Sequence, residues 1–264
     1  MLWVIKILFV GYFAGYSSNE IAVSGREGAL VKVAVLSDIH ANIYALEAVI
    51  DLIDKEKISH VLVAGDLVGY YYWPKEVVEV CRTDSRFTCI QGNHESNLKI
   101  ARKDASVLDR LTKKYGSSYQ ICLDVLTEEQ LDWLLNLPDR ENVVIGDATF
   151  SLLHEASVGG GGYLYPDSAL TEIVANYSDA QYSVLGHTHY PFVHSRGNRW
   201  LINPGSVGQP RDIGNLASFL IVDLASNVVV PKRVPFPTKK IIQCADEYDP
   251  HLPYLKNILQ RGLL

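Results

Sequence analysis

The sequence predicts an α/β protein in which two β-sheets lie one on the other and helices cover their outer faces. Up to Pro138, runs of β-branched residues alternate with amphipathic helical patterns. After this proline, short predicted strands follow one another, with one helix among them. A chain with one half of each kind is typical of layered folds, because each sheet has to bury a hydrophobic face against another element.

The elements of the first half follow from their hydrophobic periodicity. The helix expected over residues 43–56 places its apolar residues on one face. Pro74 suits the first turn of the next helix, where its missing N–H costs nothing. Thr127 and Gln130 form a capping-box pattern that opens the last helix of this half. Strands are predicted over 31–37, 60–64 and 86–91, and helices over 43–56, 74–82, 96–114 and 127–136.

The second half reads as short strands joined by polar turns. One helix is expected at about 167–176. Four consecutive glycines, Gly159 to Gly162, predict a mobile loop close to His154, and whether this loop also covers a substrate stays open. Strands are predicted over 142–146, 149–153, 182–185, 191–194, 199–202, 216–223 and 227–234.

The chain divides into three predicted parts. The central part is long enough to bury a sizeable core, and the last part is expected to be a separate tail with a short helix at about 252–261. The parts are an N-terminal extension over 1–30, a domain over 31–238 and the tail over 239–264.

The extension over residues 1–30 admits two interpretations. Its first fifteen residues are apolar but too short to span a bilayer. Valine can be encoded by GTG, an alternative start codon, and Arg26-Glu27-Gly28 can be encoded by a purine-rich ribosome-binding sequence. We therefore expect Val31 to be the true initiator. The alternative is a genuine, weakly structured extension or an anchor at a membrane surface.

Composition is consistent with a cytoplasmic enzyme. With 24 basic and 30 acidic residues the net charge is −6, which argues against stable binding of nucleic acid through bulk electrostatics. The four cysteines show no paired spacing, so we expect reduced thiols in the core. We expect no association with a membrane, and the sequence leaves the oligomeric state open.

Five short segments with metal-binding side chains each follow a predicted strand. They contain five of the eight histidines. Because buried strands deliver their ligands at their carboxyl ends, these segments are expected to meet in one cleft. The segments are Asp38-Ile39-His40, Gly65-Asp66, Gly92-Asn93-His94-Glu95, His154 and Gly186-His187-Thr188-His189.

The donors in these segments predict a two-metal site. They are nitrogen and oxygen atoms without a thiolate, a set that suits Mn, Fe, Zn, Co or Ni better than Ca or Mg. Seven ligands are too many for one ion. They are sufficient for two ions if one aspartate carboxylate binds both ions. Two divalent ions with two aspartates and a hydroxide leave a charge of about +1, which attracts a phosphoryl group. The predicted ligands are Asp38, His40, Asp66, Asn93, His154, His187 and His189.

In order and residue type, the five segments resemble the calcineurin-like metallophosphoesterase superfamily, whose pattern is D-x-H, G-D, G-N-H-[DE], H and G-H-x-H. The resemblance runs from about Val31 to Pro237 and is closest to a prokaryotic, phosphodiesterase-like branch. It implies a four-layered α/β/β/α sandwich of two mixed β-sheets. The stretches that point to this branch are Ser37–Asn42, Ala45–Val49, Gly65–Tyr70 and Asn203–Arg211.

The resemblance also implies a role for each motif residue. His94 would face the substrate and protonate the leaving oxygen or stabilise charge in the transition state. A metal-bridging hydroxide would attack phosphorus in line. The first metal would be held by Asp38, His40, Asp66 and His189, and the second by Asp66 as the bridge, Asn93, His154 and His187.

One departure from the wider superfamily bears on the substrate. Protein Ser/Thr phosphatases and symmetrical dinucleoside tetraphosphate hydrolases carry an arginine where this chain has Gly69 and Tyr70. A dianionic monoester usually gains from such a cation, so we expect a preference for phosphodiesters. Arg211 either contacts phosphate or braces its own loop, and Tyr70–Trp73 either packs a helix start or stacks on a substrate ring. No residue that orients His94 is evident.

Three alternatives to a phosphodiesterase remain. The first is a phosphomonoesterase and the second a hydrolase of nucleotides or dinucleoside polyphosphates. The third is a scaffold that keeps the fold without catalysis, which is disfavoured because no ligand of the motif set is missing.

Overall fold

The computed structural model describes residues 31–262, so the extension predicted over 1–30 lies outside the described residues. This part of the chain forms ten strands and nine α-helices. The strands are β1 (Lys32–Leu36), β2 (His60–Ala64), β3 (Phe87–Ile90), β4 (Arg140–Ile145), β5 (Ala148–Leu153), β6 (Tyr182–Val184), β7 (Phe192–Arg196), β8 (Arg199–Asn203), β9 (Leu216–Asp223) and β10 (Val228–Pro235). The helices are α1 (Ile43–Lys55), α2 (Pro74–Thr83), α3 (Asn93–Ala101), α4 (Ala105–Tyr115), α5 (Ser118–Val125), α6 (Glu128–Leu135), α7 (Leu170–Ala175), α8 (Lys239–Tyr248) and α9 (Tyr254–Asn257).

The strands form two mixed five-stranded sheets. The first has the order β10-β9-β1-β2-β3, with β1, β2 and β3 parallel and β9 antiparallel to β1. The second has the order β4-β5-β6-β8-β7, with β5, β6 and β8 parallel. The carboxyl ends of six parallel strands therefore lie along one edge of the molecule, where such sheets bind ligands.

Three apolar clusters separate the layers, and alternation along the strands produces them. In β1, Val33 and Val35 face the second sheet, whereas Ala34 and Leu36 face the helices. The largest cluster lies between the first sheet and its helices, and the next lies between the sheets. A small third cluster joins the second sheet to Ile173 of α7 and the loop before it. The predicted four-layered sandwich is thus confirmed, with a thin outer layer on the second sheet.

Three helical segments before the C-terminal segment differ from the prediction. The helix expected over 96–114 is broken between α3 and α4, because Asp104 leaves the helix and its side chain accepts hydrogen bonds from the main chain of Ser106 and Val107. Helix α5 was not predicted at all, since it is short and its first residue follows a serine that makes no side-chain cap. The helix expected at 167–176 is confined to α7.

The segment after Thr238 packs into the largest cluster, although we expected a separate tail. Its longer helix, α8, was not predicted and buries Ile241, while Leu255 and Leu259 are buried further on. The hydroxyl of Tyr71 donates to the Leu255 carbonyl at 3.1 Å. These residues therefore belong to the core that supports the first sheet.

Two further predictions concern the cysteines and membranes. All four cysteines are buried and free, as expected for thiols in the core. Between residues 31 and 262, none of the helices has the length and apolar character needed to cross a bilayer.

Candidate metal centre

The loops that follow β1 and β2 carry the first predicted ligands and are tied to each other. The main-chain N–H of Asp38 donates to Gly65, and that of His40 donates to Asp66, each at 3.0 Å. The parallel pairing of the two strands thus continues beyond their ends. Asp38 and His40 are held over the carboxyl edge of the first sheet and are wholly buried.

Left-handed backbone is concentrated in the site loops. A non-glycine residue with positive φ costs roughly 1–3 kcal/mol and persists where its surroundings over-determine it. The strain here coincides with the predicted motifs. Of the nine such residues in the described chain, seven lie in these loops: Asp38, His40, Ala41, Asp66, Tyr70, His187 and His189.

Each buried aspartate has one oxygen engaged by the main chain and one turned towards histidines. The Oδ2 of Asp38 accepts the N–H of His187 at 3.1 Å, and its Oδ1 has no hydrogen-bond partner. The Oδ1 of Asp66 accepts the N–H of His94 at 2.8 Å, which leaves Oδ2 facing the histidines. The main chain therefore aims one carboxylate oxygen of each aspartate into the site.

Three histidines are fixed in the tautomer that a metal ligand requires. The Nδ1 atoms of His40, His154 and His189 each lie 2.7–3.1 Å from a main-chain carbonyl oxygen. A carbonyl only accepts, so Nδ1 carries a proton in each ring and Nε2 is the nitrogen turned towards the site, where its neutral form binds a metal, the arrangement usual in metal sites. The carbonyls belong to Val68, Ala64 and Gln209, respectively.

Asp38, His40 and His189, here called the inner group, converge closely. The two Nε2 atoms are 3.0 Å apart, and Asp38 Oδ1 lies 3.5 Å from His40 Nε2 and 3.2 Å from His189 Nε2. All three side chains are at most 2% exposed. The group could hold one metal ion.

Asp66, His154 and His187, here called the outer group, form a second cluster that could hold an ion. Asp66 Oδ2 is 3.1 Å from His154 Nε2 and 3.9 Å from His40 Nε2, so it lies between the two groups. Asn93 Oδ1 is 3.2 Å from His154 Nε2. His187 and Asn93 are half-buried, in contrast to the inner group.

The chemistry of this donor set fits divalent cations. In the inner group the Nε2 atoms of two imidazoles and a carboxylate oxygen without a hydrogen-bond partner face one another. Burial opposes the charged form of Asp38, yet the neighbouring His189 outweighs it and holds the pKa of Asp38 well below its usual value. Burial likewise lowers the pKa of His154, but Asp66 reverses this and raises it to about 10. Buried charges of this kind need a counter-charge, which a metal ion supplies.

His94 has a partner that the sequence did not reveal. Its Nδ1 lies 2.8 Å from the hydroxyl of Tyr119 on α5, which leaves Nε2 as the ring nitrogen available to the site. Gly69 makes room for this arrangement, because a Cβ at this position would lie 2.0 Å from His94 Nδ1. His94 also lies close enough to His40 and Asp66 to be counted with them as a possible ligand group.

Glu95, which we had given no role, braces the loop that carries Asp66. Its carboxylate accepts the main-chain N–H of Asp66 at 3.0 Å, of Val68 at 3.1 Å and of Gly92 at 2.7 Å. Burial and the nearby Asp66 raise the pKa of Glu95 to about 7, while the N–H groups favour its charged form. A glycine followed three residues later by a glutamate at a helix start was the available signal for this bond.

The segment after β8 closes the other side of the inner group. The hydroxyl of Ser206 donates to the Asp38 carbonyl at 2.7 Å, and Asn42 donates to Gly208 at 2.8 Å. The guanidinium of Arg211 lies 3.4 Å from the Thr188 carbonyl oxygen. Both alternatives for Arg211 are therefore compatible with its place, since it braces the loop and also borders the site.

The aromatic run that begins at Tyr70 is mostly interior. Tyr71 and Tyr72 are buried, and Tyr72 donates to Asp249 Oδ2 at 3.0 Å. Of the two alternatives given for this run, packing therefore applies to these two rings, because they hold the C-terminal segment against the core. Tyr70 is 7% exposed, and its ring packs edge-on against His40 and at a tilt of 39° against His94.

A cleft of about 280 Å³ opens beside the outer group. Among residues 31–262 its lining contains no lysine or arginine, and it includes the acidic side chains of Asp139 and Glu155. Near it, the loop of four glycines contains a 3₁₀ turn at Gly160–Gly162 and leads to Tyr163, whose ring packs 4.2 Å from that of His187. The outer group is therefore the accessible side of the site.

Comparisons with known proteins agree with this architecture. The structure aligns with that of a hypothetical protein from Pyrococcus horikoshii at a TM-score of 0.76 and 23% identity, covering 88% of this chain and 99% of the other. It aligns with a metallophosphoesterase from Sphaerobacter thermophilus at a TM-score of 0.71 and 27% identity, covering 89% and 100%. An uncharacterized protein of Methanocaldococcus jannaschii is 35% identical over 225 residues, which are 79% of this chain and 89% of that protein.

The family itself follows from the match of one domain profile. Residues 31–227, and with them every predicted ligand, match the calcineurin-like phosphoesterase superfamily domain. Enzymes of this kind work with divalent metal ions, in agreement with the candidate ligand groups. The chain therefore belongs to the calcineurin-like phosphoesterase superfamily and is a hydrolase of phosphate ester bonds.

Proposed function

We propose that this phosphoesterase uses two divalent metal ions and acts on phosphodiesters. The observation that supports it best is the position of Asp66 Oδ2 between two groups of donor atoms. A carboxylate shared in this way lets seven ligands hold two ions. Such a pair supplies Lewis acidity, charge neutralisation and a water of lowered pKa.

In this proposal the inner group and Asp66 hold the first ion, while Asn93 completes the outer group around the second. The ions are expected to be Mn²⁺ in preference to Mg²⁺, because four imidazoles disfavour magnesium. His94 presents Nε2 to the leaving oxygen, and Glu95 keeps the Asp66 loop in place. The main-chain bonds of the aspartates fix their free oxygens before any ion binds.

Charge favours a diester over a monoester. A centre of about +1 matches the single negative charge of a diester, whereas a monoester brings nearly two. Lysine and arginine are absent from the cleft lining, and the acidic Asp139 and Glu155 would repel a dianion. Arg211 is the one cation that we placed at the border of the site, so it decides between the two substrate classes.

The test compares bis-p-nitrophenyl phosphate with p-nitrophenyl phosphate in the presence of Mn²⁺. We expect a higher kcat/KM for the diester, both in the wild type and in Arg211→Ala. Arg199→Ala serves as the matched control, because this arginine on β8 is bound to Ser178 and Asp179. A monoester preference that Arg211→Ala abolishes would replace the diesterase assignment by a phosphomonoesterase.

A further inference from the structure

The contact between Tyr119 and His94 concerns the departure of the leaving group. The Tyr119 hydroxyl oxygen is 2.8 Å from His94 Nδ1, and the two rings are parallel within 4°, with centroids 5.6 Å apart. Tyr119 is fully buried, so water does not compete for this hydrogen bond. The contact is therefore a fixed part of the site.

We infer that Tyr119 is a positioning residue that donates its O–H to His94 Nδ1 and so fixes the imidazole as the Nε2–H tautomer. His94 then offers the leaving oxygen a hydrogen bond from a neutral ring. This inference rests on the proposed function, because it assigns the donor in that reaction. As hydroxide forms its bond to phosphorus, the bond from phosphorus to the leaving oxygen breaks with its electron pair on that oxygen, which the Nε2–H stabilises and which water then protonates.

The protonation states of both groups agree with this direction of donation. Burial raises the pKa of the Tyr119 phenol well above its usual value, so the phenol keeps its proton. A neutral imidazole carries one proton, and with the phenol O–H directed at Nδ1 that proton is on Nε2. The Asn97 side chain reaches the same phenol oxygen, and donation by its amide leaves the phenol proton for Nδ1.

A phenol bonded to His94 Nδ1 affects the protonation of the ring differently from a carboxylate in the same position. A carboxylate accepts the Nδ1–H of a histidine and stabilises the imidazolium, which favours full proton transfer. A phenol that donates to Nδ1 favours the neutral ring instead. Asp66 Oδ1 accepts the main-chain N–H of His94, and the Glu95 carboxylate accepts three other main-chain N–H groups, while Nδ1 of His94 contacts the phenol. The benefit from His94 should therefore grow with the basicity of the leaving oxygen.

The experiment measures Tyr119→Phe on two methyl phosphodiesters that differ only in the leaving group, phenol or p-nitrophenol. For the phenyl ester we expect kcat to fall by roughly 10- to 100-fold, a fraction of the usual contribution of a positioned donor. For the p-nitrophenyl ester, whose leaving group needs little help, the fall should be about threefold or less. KM and metal content should stay those of the wild type.

Tyr115→Phe is the matched control, since its ring packs edge-on against His94 with centroids 4.8 Å apart and, in the part of the chain described, it is the Tyr119 hydroxyl that bonds to His94 Nδ1. It should keep the wild-type dependence on the leaving group. An equal loss on both esters with Tyr119→Phe, or no loss on the phenyl ester, would overturn the inference.

A spectroscopic measurement tests the tautomer without activity. Long-range ¹H–¹⁵N spectra of the zinc-loaded protein should show His94 protonated at Nε2, and a proton at Nδ1 would overturn the inference. The proposed function has its own test: it is wrong if the metal-loaded wild type hydrolyses neither ester. Activity on the p-nitrophenyl ester together with an Nδ1–H tautomer would leave the proposed function standing and refute only the role of Tyr119.

Discussion

The inner and outer groups differ in how completely the fold encloses them. Inner side chains are at most 2% exposed, and both inner histidines donate Nδ1–H to main-chain carbonyls. The outer group contains the half-buried His187, which rests on Tyr163 of the glycine-rich loop and lies near the open cleft. Of the outer histidines, His154 alone has a recorded main-chain acceptor.

This difference reflects the layers behind most of the side chains in each group, because two of the three inner residues follow β1 of the first sheet and two of the three outer residues follow strands of the second sheet. Helices and the largest apolar cluster support the loops of the first sheet, whereas the outer face of the second sheet carries only the small cluster around α7. Preorganised ligands bind more tightly because less freedom is lost on binding. We therefore expect the inner metal to be held firmly and the outer metal to exchange, on the side where substrate enters.

The largest effect should come from removing metal. A chelator should abolish hydrolysis, and Mn²⁺ should restore it better than Mg²⁺. In a titration with a weak chelator, metal analysis should show one ion lost before the other. Loss of both ions in a single step would contradict the difference between the groups, and full activity without bound metal would refute the metal assignment.

Asp66→Asn should be the most damaging single substitution, because a neutral amide bridges two cations poorly. Metal content should fall at both positions. His94→Ala is the contrasting variant: it should retain both ions while the rate drops by roughly 10²–10⁴-fold. Equal loss of metal in the two variants would mean that His94 is itself a ligand, as its distance from His40 and Asp66 allows.

A substitution confined to the outer group sharpens the comparison. His187→Ala should lower the metal content from about two ions to about one, with the inner ion retained because its own ligands are intact. His194→Ala is the control, since this histidine on β7 pairs with Tyr177 instead. Loss of both ions from His187→Ala would show that the groups depend on each other.

The smallest effect concerns pH and the metal-free protein. Asp66 raises the pKa of His154 from 6.5 to about 10 against the effect of burial. Protonated His154 thus stabilises the metal-free fold fully below pH 6.5, and this stabilisation is lost as the pH rises through about 10. The Tm of the metal-free protein should fall across this range, and that of the metal-loaded protein should not. Because a metal needs the neutral imidazole, calorimetry at about pH 8 should detect proton release on loading.

Much of the site was predictable because its ligands follow strands directly. A hydrophobic run and the polar residue after it are local features, so Asp38, Asp66 and His154 could be placed without a structure. The layers followed in the same way from alternation along the strands. The exact ends of the helices could not be predicted in this way, since the break before α4 depends on whether Asp104 caps or continues a helix.

The contacts that hold the site residues in place from distant parts of the chain could not be predicted from the sequence. Tyr119 is 25 residues from His94 and lies on a helix without a strong start signal. Glu95 had no predicted role until its three main-chain bonds were visible. Such contacts depend on tertiary packing, which local patterns do not encode.

The C-terminal segment sets an order for assembly during translation. Asp249 accepts the N–H and hydroxyl of Ser117, at the start of α5, as well as the hydroxyl of Tyr72. All the predicted ligands, the last of which is His189, leave the ribosome before Asp249 does. A nascent chain can thus gather its metal ligands while the helix that carries Tyr119 still lacks this anchor. Metal capture would then precede completion of the proton-donor side of the site.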